Sequence, residues 1–221
     1  MAVKERSIAP ILRSIGKSVN DGKIGNLELE HGYDHHKSVA QDALYIYKND
    51  QLQGKVDIEL LLTSACVHDF IQRGNLNPTD LENILSQKGL KDTFIKNVLR
   101  TVNNHELEKI PDTPEEEILW LADKINYLDP DRFRDVHKMV NSITDPKKRE
   151  QLLSYLNRNF KDKWIKGVQL LPKSPLMQKY PSAQKLLAKR KEETIEFMEN
   201  DGNNIFSDLL EEYRKTQNTS E

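Results

Sequence analysis

Residues 56–71 read VDIELLLTSACVHDFI. Val56, Leu60, Leu61, Ala65 and Val67 leave almost no polar face, so the stretch is expected to be a buried helix at the centre of a core. Its apolar run, 58–67, is far shorter than the ~18 residues a membrane span needs. The run ends on His68-Asp69, where polar side chains are expensive unless they are satisfied. Two readings are open for this pair. A metal ion reached from both side chains would hold them there. Alternatively, His68 favours the helix dipole and Asp69 is merely exposed.

Outward from this segment the helical period recurs. Ile8, Ile11, Leu12 and Ile15 mark a first amphipathic helix, and Asp34 is placed to cap a second that carries Val39, Ala43, Ile46 and Tyr47. Asn77-Pro78-Thr79 opens a helix through Leu85 that closes at Gly89, and Asp92 is expected to cap 93–103. Thr113-Pro114-Glu115-Glu116 combines a cap, an early proline and acids against the dipole, opening a helix to about Tyr127. Further helices are expected at 131–143, 147–160, 182–199 and 203–215. No turn dipeptide separates two alternating apolar runs, so the chain is expected to be all-α. Gly167 and three prolines (Pro172, Pro175, Pro181) mark one break. A helical domain over 1–160 and a helical C-terminal extension over 161–221 follow from it. The extension is expected to pack on the core or to supply a homodimer interface.

Composition bounds the function. The 221 residues carry 33 Lys and Arg against 35 Asp and Glu, a formal charge of −2. That argues against a nucleic-acid-binding field. One cysteine, Cys66, against six histidines excludes a disulfide scaffold and a cysteine-rich zinc module. No segment has the apolar length of a signal peptide or a membrane span, which points to a cytoplasmic protein without a membrane partner. The average charge conceals segregation. Residues 161–191 hold nine bases and one acid, and 192–221 hold nine acids and two bases. These are solvated helix faces, or a basic rim for a phosphorylated ligand.

Histidine is the most informative residue type, as the commonest transition-metal ligand. Three lie in His31-Gly-Tyr-Asp34-His35-His36, but Gly32 stands where a zinc protease needs Glu. Asp123 sits among Ile118, Leu119, Leu121, Ala122 and Ile125. An acid in such an apolar helix needs a cation or strong donors, here a metal or an ion pair with Lys124 or an arginine.

These motifs, taken in order, resemble the HD-domain metal-dependent phosphohydrolase superfamily, and most of all its small stand-alone bacterial branch. His35 followed by Val39-Ala40 looks like the first motif, Ala65-Cys66-Val67-His68-Asp69 the second and Leu121-Ala122-Asp123-Lys124 the last. His105, after Val102-Asn103-Asn104, matches a further histidine often found between them. The likeness covers about residues 25–140. It implies an HD-domain-like helical bundle and one divalent metal ion (Mn, Fe, Co, Mg or Zn) held by His35, His68, Asp69 and Asp123. The implied activity is hydrolysis of a small phosphate ester, a nucleotide by expectation, by metal-activated water.

Asp69, His105 and His31 are the residues expected to act in catalysis, and Arg73 and Lys124 to hold the phosphate, with Arg132 and Arg134 as further candidates. The chain departs from the family at Phe70-Ile71-Gln72-Arg73. Some relatives carry a glutamate at the position of Gln72, so a general base must come from elsewhere, with Glu106, Asp34 or His31 as candidates. With only His105 between the His-Asp pair and Asp123, a two-metal site is not expected. The alternative is an HD-type module that binds a nucleotide or a partner with little turnover.

Overall fold

The structure, a computed structural model, describes residues 33–71, 76–105, 109–200 and 205–218. These residues form ten α-helices, with no strand among them. The chain divides into two compact units, the first ending at Asp123 and the second beginning at Lys124. The helix expected around Ile8–Ile15 lies outside the described residues.

In the first unit, α1 (Tyr33–Asn49) packs on α2 (Ile58–Val67), and α2 packs on α4 (Asp92–Asn103). Between them in the chain comes α3 (Pro78–Gln87), which also packs on α4; α5 (Pro114–Ile125) follows. Helix α2 is central, since every residue from Leu60 to Val67 is buried. It is shorter than the 56–71 segment for two local reasons. Asp57 caps it, with Oδ1 accepting from the Glu59 and Leu60 amides at 3.0 and 3.1 Å. At the other end the Phe70 amide donates to the Val67 carbonyl, tightening the last turn away from α geometry.

Other ends differ in the same small way. Asp34 and Asp92 stand inside the first turns of α1 and α4 rather than at their caps, where a negative charge still favours the helix N-terminus. Asn77 does cap α3, in a reciprocal capping box with Asp80, and Gly89 ends that region at φ +79°. Glu116, buried at the start of α5, accepts from the Asp112 amide and lies 3.2 Å from Arg100 Nε.

The second unit holds α6 (Pro130–Ser142), α7 (Pro146–Ile165), α8 (Pro175–Lys179), α9 (Pro181–Glu199) and α10 (Ser207–Asn218). Its core is aromatic: Phe133 meets Phe160, Phe206 and Trp164 at ring separations of 4.9, 5.3 and 6.3 Å. Helix α7 runs unbroken through residue 160 and passes into a π-helical turn at Lys166–Leu170. Gly167 lies there against Leu128, and a Cβ on it would stand 3.1 Å from Leu128 Cγ. Helix α9 is tied to the turn before α6. Arg190 Nη1 pairs with Asp129 Oδ2 at 2.5 Å, Asn126 donates to the same oxygen, and the Thr194 hydroxyl donates to the Leu128 carbonyl at 2.7 Å. The described residues of the C-terminal extension are therefore largely helical, and within their unit they pack on residues upstream of 161. No helix among the described residues is long and apolar enough to cross a membrane.

Candidate metal centre

The first unit brings four polar residues of its buried core together. His35 enters from the first turn of α1, on the same face as Val39, Ala43 and Ile46, all fully buried. His68 stands at the C-cap of α2, with Asp69 directly after it. Asp123 projects from the end of α5, among Leu119, Leu121 and Ala122. All four side chains are buried.

Their donor atoms converge. His35 Nε2 lies 3.1 Å from His68 Nε2, 3.2 Å from Asp69 Oδ2 and 3.5 Å from Asp123 Oδ1. His68 Nε2 lies 3.4 Å from Asp69 Oδ2 and 3.5 Å from Asp123 Oδ1. Nitrogen and oxygen donors bound at about 2.0–2.2 Å to one divalent ion stand roughly 2.8–3.6 Å apart at octahedral to tetrahedral angles. All five of these nitrogen–nitrogen and nitrogen–oxygen distances fall inside that range. His105 Nε2 is 3.9 Å from Asp69 Oδ1, the other oxygen of that carboxylate, and so lies beside the group. Two overlapping sets, His35/His68/Asp123 and His68/Asp69/His105, could hold a metal ion.

Backbone carbonyls set the tautomers. A carbonyl can only accept, so the His68 Nδ1 that lies 2.8 Å from the Ala65 oxygen carries a proton, and Nε2 of the neutral ring is left with its lone pair. His105 is held the same way by the Val102 carbonyl, and its Nε2 points its lone pair toward Asp69. At His68 a lone pair therefore faces another imidazole nitrogen and two carboxylate oxygens. A cation among them satisfies the arrangement; so does a proton on His35 Nε2.

His36, the next residue on α1, is buried but does not join the group. Its Nδ1–H donates to the Cys66 carbonyl at 2.8 Å, and its ring lies 4.8 Å from both His68 and Phe70. Burial, then the neighbouring His68, holds the His36 pKa well below the usual histidine value, with Asp69 opposing the shift. Burial likewise pushes the Cys66 thiol up to about 12. The low polarity that protonates this cysteine suits a packing residue rather than a nucleophile.

The structure thus places His35, His68, Asp69 and Asp123 around one point, with His105 at its edge. It puts His35 rather than its neighbour His36 in the group. His31, Arg73 and the alternative base Glu106 lie outside the described residues, and Asp34 is exposed. Lys124 is buried, with Nζ 5.5 Å from the centre of the Tyr127 ring. Arg134 pairs with Asp131 at 2.6 Å and Arg132 reaches the Asn126 carbonyl at 3.4 Å, both within the second unit. The contacts of His36 were not legible in sequence, because its partners come from a helix some thirty residues away.

Comparison with solved structures finds a likeness to the crystal structure of Bacillus subtilis YpgQ in complex with ADP. The TM-score is 0.50 at 17% identity, over 88% of this chain and 99% of that one. The likeness is one of fold: an all-α, HD-domain-like bundle with a C-terminal helical extension. No protein-family model matches the chain, and no curated protein does.

Proposed function

We propose that the protein is a divalent-metal-dependent phosphohydrolase acting on a small phosphate ester of the nucleotide class. The convergence of His35 Nε2 and His68 Nε2, 3.1 Å apart, with Asp69 Oδ2 and Asp123 Oδ1 each 3.2 to 3.5 Å from both nitrogens, carries this reading. Two imidazoles and two carboxylates with no thiolate suit a hard or borderline ion that must also accept a phosphate oxygen. The nucleotide class is supported by a protein of this fold, YpgQ, having been crystallised with ADP.

The bound ion would supply Lewis-acid activation of the phosphate ester and of water. The chain's own residues do the rest. The Ala65 and Val102 carbonyls hold His68 and His105 in one tautomer each, so that both Nε2 atoms stay available. His105 Nε2, 3.9 Å from Asp69 Oδ1, is the proposed acceptor of the water's proton, with the Asp69 carboxylate orienting that water. This assignment fills the place left by Gln72, where some HD relatives carry glutamate. His31 is proposed as a second proton carrier. Arg73, shortly after the His68-Asp69 pair, and Lys124, directly after Asp123, are the proposed cationic grip on phosphate.

The test has two stages. Wild-type and His68→Ala protein, purified with divalent ions supplied, are analysed for bound metal by mass spectrometry. Both are then assayed on a panel of nucleotides and phosphate esters with Mn²⁺, Mg²⁺ and Co²⁺. Near-stoichiometric metal and turnover in the wild type alone are expected. Equal, near-zero metal in both proteins would overturn the reading. Metal and tight nucleotide binding without turnover would favour the binding module that the missing glutamate at position 72 also suggests.

A further inference from the structure

The last carbonyls of a helix have no amide ahead of them and need other donors. At the end of α2 these donors are unusual. The Ala65 carbonyl accepts from the His68 ring, and the Val67 carbonyl from the Phe70 amide. The Phe70 amide is thereby turned away from the Cys66 carbonyl, its partner had the helix continued. The Nδ1–H of His36, crossing from α1, takes that place at 2.8 Å.

The same ring lies against His68, at 4.8 Å and 40°, and stacks on Phe70, at 4.8 Å and 30°. His36 therefore touches residues 66, 68 and 70, bracketing the His68-Asp69 pair from both sides. Packing alone does not explain an imidazole here. Its Nε2 is buried without a hydrogen-bond partner, a penalty an apolar ring of similar size would avoid. What an apolar ring lacks is the N–H for the Cys66 carbonyl.

We infer that His36 is a positioning residue: by capping the Cys66 carbonyl and clasping His68 and Phe70, it sets the direction in which His68 Nε2 and the Asp69 carboxylate leave α2. The inference rests on the proposed metal site for its consequence, but its geometry is independent of any ion.

The test compares full-length wild type, His36→Leu, which keeps bulk but loses the N–H, and His36→Asn, whose side-chain N–H occupies nearly the place of Nδ1. In EDTA, long-range ¹H–¹⁵N spectra of the imidazoles are expected to show the His68 resonances displaced in His36→Leu and returned toward wild type in His36→Asn. Unmoved His68 resonances in His36→Leu would overturn the inference. In a Co²⁺ titration, His36→Leu is expected to bind about 10–100-fold more weakly with an altered visible spectrum, and His36→Asn to recover most of the affinity. Wild-type affinity and spectrum in His36→Leu would also overturn it. If the wild type itself takes up no ion, the proposed function falls, and the metal-free spectra alone decide the role of His36. Should His36→Leu fail to fold, His36→Gln, with its N–H one bond further out, replaces it under the same expectations.

Discussion

Replacing Asp123 by alanine isolates the donor at the end of α5. Its carboxylate lies 3.5 Å from both ring nitrogens of the group and is buried, so no solvent stands in for it once it is gone. Any ion that binds only the folded protein stabilises it by RT ln(1 + [M]/Kd), about 2.7 kcal/mol at a free concentration of 100 Kd. For a unit the size of the first, each kcal/mol moves the midpoint by about 3–6 °C, so the wild type should gain about 8–16 °C over its EDTA-treated form. Removing one partner of a buried charge pair costs about 3–5 kcal/mol, which weakens binding at least a hundredfold. The same metal concentration then stands near or below the new Kd. The remaining stabilisation is under about 0.4 kcal/mol and the shift under about 3 °C. Thermal unfolding followed by circular dichroism at 222 nm, with and without Mn²⁺ or Co²⁺, reads both numbers, and the curves in EDTA show whether the variant is folded. An Asp123→Ala protein that gains as much as the wild type would refute the place of Asp123 among the donors. A wild-type midpoint that no divalent ion moves would refute the site itself.

Two further outcomes follow from the packing. Cys66, its thiol pushed from 9.0 up to about 12 by burial, should resist alkylation at pH 8 in the folded protein and react readily in denaturant. Because the folded pKa lies above the unfolded one, stability is fully present below about pH 9. It is lost as pH rises toward 12, at up to about 1.4 kcal/mol per pH unit. Urea titrations at pH 9 and 10 should show that extra slope in the wild type and not in Cys66→Ala; equal slopes would refute it. In the second unit, Arg190→Leu removes the guanidinium that lies 2.5 Å from the buried Asp129 carboxylate, beside Asn126. A loss of about 3–5 kcal/mol in urea unfolding is expected, partly recovered by adding Asp129→Asn. A loss below about 1 kcal/mol would show the pair to be energetically idle.

Much of the first unit could be read from the chain because its signals are local. A run as apolar as 58–67 has to be buried, and polar residues at its end must be satisfied, which singles out His68 and Asp69 from the sequence alone. Asp123 was conspicuous for the same reason, as an acid among fully buried neighbours. What could not be read depends on which segments meet. Asp129 and Arg190 are ordinary surface-type residues until α9 lies against the turn before α6. His36 differs from His35 by one position in sequence, and only the Cys66 carbonyl it caps gives it a separate place. Helix α7 runs through residue 160, and Gly167 makes a close approach to Leu128; both depend on packing that the glycine and prolines of 167–181 do not announce.

The four donors also differ in how far apart they lie along the chain. His68 and Asp69 are neighbours, His35 is 33 residues upstream of His68, and Asp123 belongs to the last helix to enter the unit. A pair of adjacent side chains is a poor trap for an ion. Closing the loops that bring in the other two costs chain entropy that only the packed core repays. On the proposed function, ion capture is therefore a late event in folding. A metal signal in a freshly refolded sample would report that α1, α2 and α5 have met in register, whereas far-ultraviolet helicity would already be present in chains that had not yet assembled the site.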